Sequence, residues 1–118
     1  MSNALDRVRA IALELPETEE RLSHGQPTFF VAGKQFAQFR DNHHGDAKTV
    51  VCVRVSSIDE QAMLLEVDPA TYSRPAYMPS WLGISLAGDS VDWDHVADRI
   101  AASWELAAPR RLLEAGGR

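Results

Sequence analysis

The chain has 118 residues, 45% of them hydrophobic and 25% charged, with a formal net charge of −5. That size and balance predict one folded domain over residues 1–118 with its own core, and exclude a largely disordered chain. No apolar run nears the roughly 20 residues that a membrane-spanning helix needs, and residues 1–9 lack the apolar core of a secretory signal, so the expected location is the cytoplasm with no membrane partner.

The first predicted element is a helix from Ala4 to Leu15, where Leu5, Val8, Ile11, Ala12 and Leu15 recur at helical spacing. Pro16 stops it, because proline lacks an amide and disfavours helix in the residue before it. Glu17, Glu19 and Glu20 read as a solvated acidic patch. Two strands, Phe29 to Val31 and Gln35 to Arg40, follow, joined by a tight turn at Ala32-Gly33, where glycine accepts positive φ without strain. Asp41 to Lys48 is a polar loop, and Thr49 to Val55 is a third strand rich in β-branched residues.

Ser57-Ile58-Asp59-Glu60 matches a capping box. The helix it opens should run to about Val67 and end at Asp68-Pro69. Around Pro75 and Pro79 the expectation is a short strand at Ala76-Tyr77, a turn, and a strand from Trp81 to Leu86. Gly88-Asp89 turns the chain. Asp92 caps a last helix whose Trp93, Val96, Ala97, Ile100, Trp104 and Ala107 share one face, and Pro109 closes it. The order α-β-β-β-α-β-β-α predicts an α+β fold of two layers, an antiparallel sheet with helices on one face.

The single cysteine, Cys52, has no intrachain partner and sits in an apolar strand, where a buried, inert thiol is expected. His24-Gly25-Gln26-Pro27, placed between the first helix and the first strand, is the most site-like segment. His24 is suited to carry a proton or contact an anion, because imidazole titrates near neutrality. His43-His44-Gly45-Asp46, with Asp41 before it, has ligand-type side chains but no metal-binding spacing, and is expected to be an exposed loop without metal. Lys34 and Arg54, if they share the exposed sheet face, can hold a phosphate or carboxylate. Tyr77 and Trp81, aromatics beside bases, can stack on exposed nucleobases, although a strand-end tryptophan more simply fills core, as Trp93 and Trp104 do on the last helix. Arg110 and Arg111 either contact phosphate or close back on the last helix. No phosphate-binding glycine loop, dinucleotide fingerprint or nucleophile elbow is present. No catalytic residue and no cofactor are therefore expected, which leaves enzymatic activity unsupported.

Several spaced words carry a family resemblance. They are His24-Gly25-Gln26-Pro27-Thr28-Phe29, Gly33-Lys34-Gln35-Phe36-Ala37, Pro75-Ala76-Tyr77, Trp81, and Ser103-Trp104-Glu105-Leu106-Ala107-Ala108-Pro109-Arg110-Arg111. Together they resemble the MmcQ/YjbR family of small bacterial domains. The resemblance covers about Ala4 to Leu113. It implies the YjbR-like fold, shared in outline with secretion chaperones, and a DNA-binding regulatory role through two wing-like hairpins. On that basis Lys34, Arg54, Arg110 and Arg111 are candidate phosphate contacts, with Arg40 and Lys48 as weaker additions. Arg54 and Arg110 stand where related sequences often carry lysine.

The charge distribution pulls both ways. Residues 21–54 carry five bases against two acids, whereas residues 55–118 carry ten acids against five bases. An acidic surface repels a polyanion unless its bases gather on one face. Two alternatives therefore stand beside DNA binding. One is a protein-interaction or chaperone-like module, self-associating or with a protein partner. The other is a binder of a small anion or other small molecule, with His24, Lys34, Arg54, Tyr77 and Trp81 around one pocket.

Overall fold

The computed structural model describes residues 3–42, 45, 48–88 and 90–115. Helix α1 spans Ala4–Leu13, with Asn3 as its cap accepting from the Asp6 amide at 2.9 Å. It ends two residues before the expected Leu15, as the Leu15 amide turns back to the Ala12 carbonyl. The next segment corrects the expectation of a solvated acidic patch, because Thr18–Ser23 forms strand β1. Strands β2 (Gln26–Val31), β3 (Lys34–Asp41) and β4 (Thr49–Arg54) follow. Helix α2 covers Ile58–Val67, β5 is the pair Tyr72–Ser73, and β6 covers Trp81–Ser85. Helix α3 spans Trp93–Ala107, and a short α4 covers Arg110–Glu114. The short strand expected at Ala76-Tyr77 lies instead at Tyr72–Ser73, and Ala76 and Tyr77 form a turn.

The six strands form one sheet in the order β1-β2-β3-β4-β6-β5, with every neighbouring pair antiparallel. Both leading hairpins turn on two residues at positive φ: His24 (53°) and Gly25 (78°), then Ala32 (48°) and Gly33 (83°). Such turns match the right-handed twist of the strands they join. His24 therefore sits at a hairpin tip, between β1 and β2, and not in a helix-to-strand connection.

Residues opposite one another across antiparallel strands share a face. The rows Ala37–Val53–Leu82 and Phe39–Val51–Ile84 thus lie on one side of the sheet. They pack with Val8 and Ala12 of α1 and with Val96, Ile100 and Trp104 of α3. Each large apolar side chain buried there contributes on the order of 1.5–3 kcal/mol. The rows Gln38–Cys52–Gly83 and Arg40–Val50–Ser85 face the other way. Cys52 is fully buried on that side against Met78 and Trp81, as an inert thiol should be.

The register between β2 and β3 shifts at Phe29/Phe30, where Phe36 is an extra residue on β3. A bulge of this kind lets two successive side chains face one way, and Phe36 and Ala37 both join the helix-side core. The irregularity breaks the ladder to β4, and Ser103 of α3 closes the gap. Its hydroxyl accepts from the Arg54 amide at 2.8 Å and donates to the Phe36 carbonyl at 2.5 Å.

Both expected caps form. Ser57 accepts from the Glu60 amide at 3.0 Å, and Asp92 accepts from the His95 amide at 3.1 Å. The Glu60 carboxylate reaches one residue further back than a capping box requires, to the Ser56 amide at 2.7 Å. No helix among the described residues is long and apolar enough to cross a membrane.

Candidate functional site

On the face opposite α1 and α3, a cavity of about 340 Å³ opens between the first hairpin and the segment that precedes β6. Its wall comes from Ser23 and His24 of the hairpin, Gln26 of β2, and Gln35, Gln38 and Arg40 of β3. Tyr77 and Met78 close the opposite side. Positions 38 and 40 are two apart on a strand, so both side chains project to this face.

Arg40 is the unusual member, at 6% exposure. Its Nε donates to Gln38 Oε1 at 2.8 Å, and one terminal nitrogen donates to the Ala76 carbonyl at 3.0 Å. The Gln38 amide in turn donates to Thr28 Oγ1 at 3.1 Å, and Thr28 donates to the Gln26 carbonyl at 3.0 Å. Every acceptor in this chain is neutral. None of the ion pairs among the described residues includes Arg40. A buried cation normally faces an opposite charge; among the described residues this guanidinium is held in geometry by neutral acceptors and no carboxylate pairs with it. Chemically, the arrangement suits an acidic group of a bound molecule.

The sequence-derived site residues divide. His24 and Tyr77 line the cavity, and Tyr77 is 83% exposed at its rim. Arg54 and Trp81 stand beside it. The guanidinium lies over the indole, 5.0 Å from the ring centre, and its Nε donates at 2.8 Å to the carbonyl of Gln35, a cavity residue. Burial lowers the Arg54 pKa from its ordinary value without discharging it. Trp81 itself is buried against Cys52 and Met78 and serves as core. Lys34 is exposed at the start of β3, outside the cavity.

The basic residues expected as phosphate contacts do not all converge: Arg40 and Arg54 lie at or beside the cavity, whereas the others are spread along and beyond the sheet. Lys34 begins β3, whereas the carbonyl of Lys48 pairs with the Asn42 amide beyond its far end. At about 3.4 Å per residue the two lie roughly 25 Å apart. Arg111 makes a two-pronged pair with Glu17 at 2.7 and 2.8 Å, and Arg110 lies 3.6 Å from Glu114. Glu17 is held below the usual carboxylate range by its bond to Arg111. His43, His44 and Asp46 lie outside the described residues, and no metal-type cluster of histidine, cysteine and carboxylate occurs among the described ones.

Sequence reasoning missed the burial of Arg40 and the parts played by Gln26, Gln35, Gln38 and Met78. The available signal was two polar side chains, Gln38 and Arg40, at alternate positions of a central strand. A larger depression of about 530 Å³ runs between α2, β5, β6 and α3. Its polar groups satisfy one another: the Tyr72 hydroxyl bonds His95 Nε2, and Asp92 and Asp68 accept from the His95 and Thr71 amides.

Comparison with known proteins gives the lineage. No curated protein matches the chain. Among solved structures it is similar to the crystal structure of Deinococcus radiodurans protein DR2400, whose domain is DUF419. The TM-score is 0.73 at 17% identity, over 94% of this chain and 82% of that one. That likeness is one of fold. A family model described as YjbR matches residues 13–106. The chain therefore belongs to the YjbR family.

Proposed function

We propose that this protein is a binding module for a small molecule with an acidic group, which it holds on the sheet face opposite α1 and α3. The supporting observation is Arg40, buried at 6% exposure in the wall of a cavity of about 340 Å³ and held, among the described residues, by neutral acceptors alone. An incoming carboxylate or phosphate supplies the missing charge and forms the charge-assisted bonds at which arginine excels. Family membership does not name the ligand, because one fold hosts many functions.

The test is an amide-resolved NMR titration with acetate and with inorganic phosphate. Shifts should concentrate on Arg40, His24, Gln26 and Gln35. Arg40→Lys, which keeps the charge, should weaken binding, and Arg40→Met should remove it. Because Arg40 also holds Ala76, His24→Ala serves as a rim variant that leaves the buried network intact. An unshifted spectrum at high anion concentration would refute the reading.

Duplex DNA, which the family resemblance implies, is the second reading. Two arginine–ring pairs on this same face favour it: Arg21 over Phe30 at 4.1 Å and Arg54 over Trp81 at 5.0 Å. Fluorescence anisotropy on mixed duplexes across a salt series distinguishes the two. DNA binding must weaken steeply with salt and fall when Arg21 and Arg54 are both made alanine.

A further inference from the structure

We infer that strand β1 is a docking edge for a second copy of this chain. The two β1 strands pair antiparallel about a twofold axis at Glu20, which joins two six-stranded sheets into one. The inference stands apart from the Arg40 cavity and does not rest on its anion reading.

β1 is the outermost strand, with β2 on one side only. The hairpin fixes which of its backbone groups face outward. The two-residue turn at His24 and Gly25 makes Ser23 and Gln26 a hydrogen-bonded pair, and such pairs alternate along an antiparallel ladder. Ser23, Arg21 and Glu19 therefore turn their amides and carbonyls to β2. Those of Leu22, Glu20 and Thr18 point to the open edge, where they make no hydrogen bond among the described residues. The side chains leave that edge accessible: Glu19, Arg21 and Leu22 are exposed, Leu22 at 74%. A row of outward amides and carbonyls is a template for another strand.

Charge complementarity selects the occupant and the register. Glu20 lies opposite Phe29 of the helix-side core, and Arg21 lies opposite Thr28, which faces Gln38 on the cavity side. Glu19 shares the face of Arg21. Residues opposite one another across a strand pair share a face, so a twofold pairing must set one β1 residue against itself. With Glu20 at the axis, each Glu19 meets the second copy's Arg21, and each Thr18 meets the second copy's Leu22. Within one chain Glu19 already lies 3.2 Å from Arg21, so pairing closes an alternating ring of four charges. Glu19 or Arg21 at the axis would instead oppose like charges and leave the other residue without its complement. The two Glu20 carboxylates are each gripped by Arg9 of their own chain, at 2.6 and 2.9 Å, which offsets their repulsion. A foreign strand carries this pattern only by chance, whereas a second copy carries it by symmetry.

The test is sedimentation equilibrium of the full chain at rising concentration, up to that of an NMR sample. A monomer–dimer equilibrium is expected, with hydrogen exchange at the Glu20 and Leu22 amides slowing as dimer forms. Glu19→Arg and Arg21→Glu should each weaken the dimer by roughly tenfold or more, because two attractive pairs become repulsive. Both side chains are exposed, so the fold should survive either change, as circular dichroism checks. Mixed in equal amounts, the two variants should pair with each other, since each carries the charges the other lacks. The double variant Glu19→Arg/Arg21→Glu should regain the homodimer. A chain that stays monomeric throughout would overturn the inference. A dimer that neither reversal weakens would place the contact elsewhere and overturn it equally. Weakening without recovery in the mixture or the double variant would overturn the Glu20 register.

Discussion

Replacing Ser103 by alanine tests the account of the β3 bulge. The hydroxyl hydrogen-bonds α3 to both sides of the broken ladder, and Ser103 is fully buried. Removing it leaves the Arg54 amide without its acceptor and the Phe36 carbonyl without its donor. Each buried polar group left unpaired costs about 1–3 kcal/mol. The carbonyl end is the cheaper of the two, because it has a second lone pair to satisfy. The expected loss is therefore about 2–4 kcal/mol, with little cavity cost from one oxygen atom. For a chain of this length that corresponds to a fall in Tm of roughly 8–16 °C. Urea unfolding followed by circular dichroism measures the free energy, and hydrogen exchange at the Arg54 amide reports the particular bond. Ser80→Ala, on the surface, is the control. A Ser103→Ala variant within about 0.5 kcal/mol of the parent, with Arg54 still protected, would refute the bridging role.

Other consequences are open to measurement. Glu60→Gln should cost about 1 kcal/mol by weakening the cap at the start of α2, as read from urea midpoints. The Glu60 carboxyl is held below its usual range, first by the Ser56 amide and then by the Ser56 hydroxyl and Arg99. Its contribution is therefore complete above the ordinary glutamate pKa and disappears as pH falls through the lowered one, so the two variants' stabilities should converge in acid. Glu17 should titrate below the ordinary range in a carboxyl-detected NMR series, and Arg111→Gln should return it there. Arg9, which grips Glu20 at 2.6 and 2.9 Å, ties α1 to β1. Arg9→Met should cost no more than about 1 kcal/mol because the pair is partly solvated, and a larger loss in urea unfolding would show the tie to be structural. The Tyr72 phenol, followed by ultraviolet absorbance in a Tyr77→Phe background, should ionise above the normal tyrosine range, because burial disfavours its charged form.

Much of the fold was legible from residue spacing. The apolar stripe and the Asp92 cap define α3, Ser57 and Glu60 place the start of α2, and Ala32-Gly33 marks the second hairpin. Strand β1 was hidden because it is an edge strand whose inward positions are not apolar. Glu20 is half-buried there through its pair with Arg9, so no hydrophobic alternation shows. The same pairing logic conceals β5, where two residues gain strand geometry only from β6 beside them. At the site, His24 and Tyr77 stand out by residue type and proline-rich context. Arg40 reads as one more surface base, because a sequence does not show that the chain 36 residues later returns its Ala76 carbonyl to cover it.

The division of each central strand between two faces gives the protein an unusual latitude for redesign. Residues 37, 39, 51 and 53 belong to the packed half and fix the fold. Gln26, Gln35, His24 and Tyr77 belong to the other half and touch a cavity that the packed half does not use. A library randomised at Gln26 and Gln35 would change the cavity lining while leaving the hydrophobic interior unaltered, whereas positions 24 and 77, at positive φ, restrict which side chains the backbone accepts. The strand positions of the cavity wall are thus open to change without disturbing the side chains that hold the fold together.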